Sequence, residues 1–144
     1  MVRITPSPVS FALAQRKTAL FKLDSAALNP GQTVTIASVT GSGELVDAVI
    51  HFSTPANASG LYYRVHVVVD GSDYWLPLSW INALTGGKGS ACFALNIYDE
   101  ANGRFSVTVK GIPFSRSLAL RVEAAGTTGA SVIAYAVIAT AAGG

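Results

Sequence analysis

Polar and apolar residues alternate through most of this chain, and the alternation is clearest between Leu61 and Val69. Leu61, Tyr63, Val65, Val67 and Val69 fall on one face and Arg64 and His66 on the other. A period of two predicts a half-buried strand. Asp70-Gly71 follows, and both residues tolerate the positive φ of a tight hairpin, so Ser72 onward reads as the returning strand. The same pattern predicts strands at Thr18–Leu23, Gln32–Val39, Glu44–Thr54, Ala91–Tyr98, Arg104–Lys110, Leu118–Ala124 and Ser131–Thr140. In Glu44–Thr54 the inward face reads Val46, Ala48, Ile50 and Phe52. Turn signals separate the strands: Asn29-Pro30-Gly31, Thr40-Gly41-Ser42-Gly43, Asn102-Gly103 and Gly111-Ile112-Pro113. One helical turn is expected at Ser79–Thr85, with Ser79 as its N-cap and Gly86 as its stop.

About eight strands at this spacing, with no long amphipathic helix, predict an all-β chain. The fold class expected is a two-sheet antiparallel β-sandwich of jelly-roll type. An immunoglobulin-like sandwich is the alternative, without a Cys…Trp…Cys pattern to support it. The final strand is apolar on both faces, Ile133, Tyr135 and Val137 against Val132, Ala134, Ala136 and Ile138. Such a strand belongs inside a sheet or beneath a partner. Residues 1–17 differ from the rest. Pro6 and Pro8 favour an extended path, and Val9, Phe11 and Leu13 alternate before Gln15-Arg16-Lys17. The organisation expected is an extended arm over 1–17 and one sandwich domain over 18–144. An arm lying on its own body or a neighbour and an ordinary edge strand are equally good readings of that segment.

Composition changes the picture in one respect. Half of the 144 residues are hydrophobic and only 12% are charged, against about 25% in an average soluble domain. A surface so poor in charge predicts cover by other subunits or another protein. A neutral surface of Ala, Gly, Ser and Thr is the other reading. The net charge of +2 on scattered Lys and Arg gives no case for nucleic acid. No apolar run is long enough to span a membrane, and no secretory signal is expected at the N-terminus.

Candidate chemistry is thin. The lone Cys92 excludes an internal disulfide and reads as a small buried hydrophobe. His51 and His66 with Asp47 and Asp70 could be drawn as a metal site, but the spacing lacks the tight ligand pairs such sites show. No Gly-x-Ser-x-Gly elbow accompanies the serines. Gly86-Gly87-Lys88-Gly89-Ser90 lacks the rest of a phosphate loop and reads as a surface loop. Asn57-Ala58-Ser59 matches a glycosylation acceptor in what reads as plain loop. No catalytic, metal or cofactor site is therefore expected, and the chain is not read as an enzyme. Tyr62, Tyr63, Tyr74, Trp75 and Trp80 cluster in sequence. Most are expected to fill the core; if Tyr63 and Trp75 do, then Tyr62, Tyr74 and Trp80 are the candidates to face a ligand.

The C-terminal third carries a resemblance. Arg104-Phe105-Ser106-Val107-Thr108-Val109, Ile112-Pro113-Phe114, Ser117-Leu118-Ala119-Leu120-Arg121-Val122 and Ala134-Tyr135-Ala136-Val137 resemble small jelly-roll virion proteins of tailed bacteriophages. Gly43 to Ile50 and Val68-Val69-Asp70-Gly71 fit the same pattern, so the resemblance spans about residues 43–140. It implies a virion location and a structural role, most often as a capsid decoration (cement) protein. The implied partners are its own copies, commonly as a homotrimer, and a major capsid protein or other virion protein. The subunit and capsid contacts expected are Val9, Phe11 and Leu13 of the arm and Ile133, Tyr135 and Val137 of the last strand. A carbohydrate- or receptor-binding module of a phage tail or fibre is the alternative, though no collagen-like or coiled-coil stalk accompanies it.

Overall fold

A computed structural model describes residues 16–85 and 92–141. They form nine strands, one short helix and one 3-10 turn in two antiparallel sheets packed face to face. The strands are β1 Arg16–Leu28, β2 Thr33–Thr40, β3 Gly43–Ser53, β4 Tyr63–Val69, β5 Ser72–Pro77, β6 Phe93–Asp99, β7 Arg104–Phe114, β8 Ser117–Ala124 and β9 Ala130–Ala141. Helix α1 is Leu78–Thr85. One sheet has the order β1-β9-β3-β7-β6 and the other β2-β8-β4-β5. Consecutive strands therefore alternate between sheets for much of the chain, which makes the β-sandwich. The expected sandwich class holds.

The core lies between the sheets because each strand turns every second side chain inward. Ala48, Ile50 and Phe52 of β3, Tyr63, Val65 and Val67 of β4, Phe105, Val107 and Val109 of β7, and Leu118, Leu120 and Val122 of β8 are all buried. The aromatic rings cluster. Tyr63 lies 6.0 Å from Phe52 and 5.9 Å from Phe105 between ring centroids. Tyr98 meets Phe105 edge-on at 5.2 Å. The hydroxyl of fully buried Tyr63 donates to the Gly129 carbonyl at 3.0 Å and sits 3.0 Å from the Thr128 hydroxyl. A phenol in a core needs such partners.

Turn chemistry fixes the registers. Asp70 and Gly71 both take positive φ, 52° and 87°, so the β4–β5 hairpin closes as expected. Gly103, at φ 67°, lies where a Cβ would strike the Thr54 carbonyl.

Four expectations need correction. Val46 does not face the core. The β3–β9 register slips between Leu45 and Asp47, so Leu45 is buried and Val46 is 41% exposed. An extra residue in one strand flips the alternation. The first strand is far longer than Thr18–Leu23: Arg16 and Lys17, placed in the expected arm, pair with Ala141 and Thr140, and a register shift between Leu23 and Ala26 carries the pairing on to Leu28. The chain enters β4 through a 3-10 turn at Gly60–Tyr62, leaving Leu61 exposed rather than paired. Ser79 does not cap α1: the helix already includes Leu78, and the Ser79 hydroxyl is buried without a partner. Val9, Phe11, Leu13 and Gly86–Ser90 lie outside the described residues.

Candidate functional site

The two sheets present unlike faces to solvent. On the five-stranded sheet, β9 sits between β1 and β3, inside the sheet as its two apolar faces require. Its outward residues are Ile133, Tyr135 and Val137; Ile133 is 50% and Tyr135 38% exposed, and Val137 is half-buried. Register lays out the face in rows. One runs Lys22, Tyr135, Val49, Thr108 and the next Leu20, Val137, Asp47, Lys110. Leu20 is the most open of the apolar residues on this face. A shallow groove of about 550 Å³ runs between Leu20, Leu23, Ile133 and Tyr135, with Lys22 and Asp24 at one side and Val49 and His51 at the other. The Tyr135 hydroxyl donates to Asp47 at 3.0 Å, and that bond holds the phenol above its ordinary pKa.

The four-stranded sheet carries charge on its outward side. Residues Arg64, His66, Arg121 and Glu123 share that side because β4 and β8 pair Arg64 with Glu123 and His66 with Arg121. His66 lies between two carboxylates: Nδ1 is 3.0 Å from Asp73 Oδ2, and Nε2 is 2.7 Å from Glu123 Oε1. Trp75 pairs with His66 across the β4–β5 hairpin. Its indole lies over the Arg64 guanidinium at 4.4 Å and beside the imidazole at 6.0 Å, tilted by only 31°. Arg64 in turn reaches Glu123 at 3.6 Å.

The expected aromatic sites divide. Tyr62 is 47%, Tyr74 62% and Trp80 55% exposed, so all three candidates face solvent. The expectation that most aromatics of this cluster fill the core fails: only Tyr63 does, and Trp75 lies outward because β4 and β5 pair residue for residue. His51 and His66 are separated onto different sheets, since the chain crosses the sandwich between β3 and β4. Asp70 faces neither of them; it binds the β7–β8 connection. Among the described residues no group of His, Cys, Asp and Glu is placed to hold a metal ion. No described helix is long and apolar enough to cross a membrane. The alternation put Arg64 and His66 outward, but nothing local in sequence pairs His66 with a residue 57 positions away.

Comparison with known proteins gives no family. No family model matches the chain, and no curated protein does. Among solved structures, the crystal structure of FLHE is similar over 86% of this chain and 95% of its own, at 14% identity and a TM-score of 0.40. The T13 viral particle of IBDV is similar over 88% of this chain, at 13% identity and a TM-score of 0.28, and this chain spans 39% of that one. Both are distant likenesses of shape.

Proposed function

We propose that this chain is a structural virion protein of jelly-roll type, a capsid decoration protein that self-associates and lies on a shell of other virion proteins. The observation that carries the reading is the outward face of the five-stranded sheet. Leu20, Val49, Ile133, Tyr135 and Val137 form a continuous apolar strip there, in a chain with only 12% charged residues. Such a strip gains by leaving water. The strand order supports the jelly-roll part. The pairs β1·β9, β2·β8 and β3·β7 are successive rungs of one long hairpin ribbon, and β3·β9 and β4·β8 are the pairs made when that ribbon rolls up. The work is mechanical: burial between copies, with a trimer as the favoured assembly, stiffens the shell, and no bond is made or broken. A specific interface of this kind removes about 1,200–2,000 Å² from water.

Light scattering coupled to size-exclusion chromatography tests the reading, on the full chain and on a chain lacking residues 1–15. The expected result is a trimer for the full chain. A monomer at every soluble concentration overturns it.

A second reading, a carbohydrate- or receptor-binding module of a phage tail or fibre, is favoured by one observation: Tyr62, Tyr74 and Trp80 are all exposed. An exposed ring is a ready contact for a sugar or a partner surface.

A further inference from the structure

The geometry points to Trp75, rather than Tyr62 or Trp80, as a binding platform for a neutral sugar ring; the inference rests on the second reading above and gives it a location. An exposed aromatic side chain usually pivots, and the cost of stopping it subtracts from affinity. Trp75 is held. One face of its ring lies against the Arg64 guanidinium at 4.4 Å, with the His66 imidazole beside it at a 31° tilt. Both supports are themselves fixed, His66 by Asp73 and Glu123 and Arg64 by Glu123. The indole still keeps 44% of its surface in water. A ring held against a fixed guanidinium in a residue that stays 44% exposed is preorganised for stacking.

The surroundings choose among ligands. A cation would stack on the ring's electron-rich face, but Arg64 already occupies one side and would repel a second positive charge. An anion would find the Arg64 guanidinium already engaged by Glu123 and the indole, and would meet the half-exposed Asp73 carboxylate instead. A purely apolar ligand would cover the exposed half of Asp73 without a hydrogen bond to offer it. A pyranose meets all three conditions: it is neutral, its C–H face packs on an indole, and its hydroxyls donate to a carboxylate. A groove of about 450 Å³ opens from Trp75 along Asp73, Tyr74, Leu76 and Phe93, a volume in the range of small-ligand sites.

The experiment is fluorine NMR of the full chain labelled with fluorotryptophan, titrated with maltohexaose, cellohexaose and chitohexaose, with calorimetry in parallel. The chain has two tryptophans, so Trp75→Phe assigns both resonances. The expected result is a saturable shift of the Trp75 resonance with at least one sugar. Trp75→Ala should then abolish the calorimetric signal. Asp73→Asn should weaken binding about tenfold, the loss of one hydrogen bond to a charged group. A signal retained in Trp75→Ala, or a shift confined to Trp80, overturns the placement and leaves the carbohydrate reading standing. Neither a shift nor heat with any of the three sugars overturns both. Trp75→Ala is checked for fold by circular dichroism, and the Trp75 resonance in the unsubstituted chain decides the matter if that variant misfolds.

Discussion

Asp70 and Arg116 hold each other from both ends. The Asp70 carboxylate accepts the Arg116 backbone N–H at 2.6 Å, and the Arg116 guanidinium donates back to the Asp70 carbonyl at 3.1 Å. The same carboxylate accepts from Ser115 and Ser117. One residue thus closes the β4–β5 hairpin with its backbone and ties down the β7–β8 connection with its side chain. These backbone donors hold the Asp70 carboxyl below its ordinary value of 3.8. A carboxylate with a depressed folded pKa contributes stability that is present above the unfolded value and is lost as pH falls through the folded one. Asp70→Asn keeps a residue that tolerates positive φ but removes the charge. Thermal melts are therefore expected to show the variant destabilised at neutral pH, with the gap to the unsubstituted chain closing as pH drops below 3.8. Equal gaps at neutral and strongly acid pH would contradict the assignment.

That pair also marks what could be read from the residues alone. Asp70-Gly71 announces a hairpin through local chemistry, and the hairpin is there. Ile133, Tyr135 and Val137 point outward as alternation demands. Local pattern fails where the backbone inserts a residue. Nothing about Val46 signals the bulge that turns Leu45 inward in its place, because the bulge is set by the pairing with β9, whose Ile138 stands opposite Leu45. It fails again where a site is assembled by strand pairing. Asp73, His66 and Glu123 come from three strands, and only the order β8-β4-β5 brings them together.

The Tyr98 phenol answers to alkali rather than acid. Burial raises its pKa first, and the Glu100 carboxylate beside it adds to the rise, to about 12 from the ordinary 10.0. Glu100 Oε2 accepts from the Tyr98 hydroxyl at 3.3 Å and from the Gly60 N–H at 2.9 Å, tying β6 to the 3-10 turn. A raised folded pKa means stability fully present below pH 10.0 and lost as pH climbs towards about 12. Phenolate absorbance should show one tyrosine titrating late, and Glu100→Gln should bring it back towards the ordinary value. Gly60→Ala is a sharper test of the same corner. A Cβ there would meet the Tyr98 ring at 2.5–2.9 Å, so a loss of about 1–3 kcal/mol is expected from chemical denaturation.

Inside the core, Tyr63→Phe keeps the ring stack with Phe52 and Phe105 and deletes only the hydroxyl. The Gly129 carbonyl and Thr128 hydroxyl then lose their partner. About 1–2 kcal/mol of stability should go with it, with no change in secondary structure by circular dichroism. A neutral result would mean that water satisfies the β8–β9 loop as well as the phenol does.

The His66 clamp makes a prediction about stability. Both ring nitrogens sit within 3.1 Å of carboxylate oxygens, so the imidazole bridges β5 to β8 across β4. His66→Gln removes the ring whose two nitrogens reach Asp73 and Glu123 at once. A loss of about 1–3 kcal/mol is expected, since these are hydrogen bonds to charged groups. Amide exchange should rise first along β5, the edge strand that Asp73 anchors. Faster exchange in β2 instead would show that the clamp does not bear on that edge.

Ile133 decides the self-association reading. Half of its side chain already lies in water, so a charge placed there adds little strain within one copy. Against a second copy the same charge would have to be stripped of water without a partner, a penalty larger than the stabilisation one apolar side chain contributes to an interface. Ile133→Asp should therefore leave the melting temperature of the isolated copy nearly unchanged while converting the assembly to monomer in light scattering. Leu20 is 57% exposed on the adjacent strand of the same face, and Leu20→Asp should act alike. Arg121→Asp makes a larger change in charge on the opposite sheet and should still leave assembly intact. Assembly lost with Arg121→Asp and kept with Ile133→Asp would move the interface to the four-stranded sheet and end the present assignment.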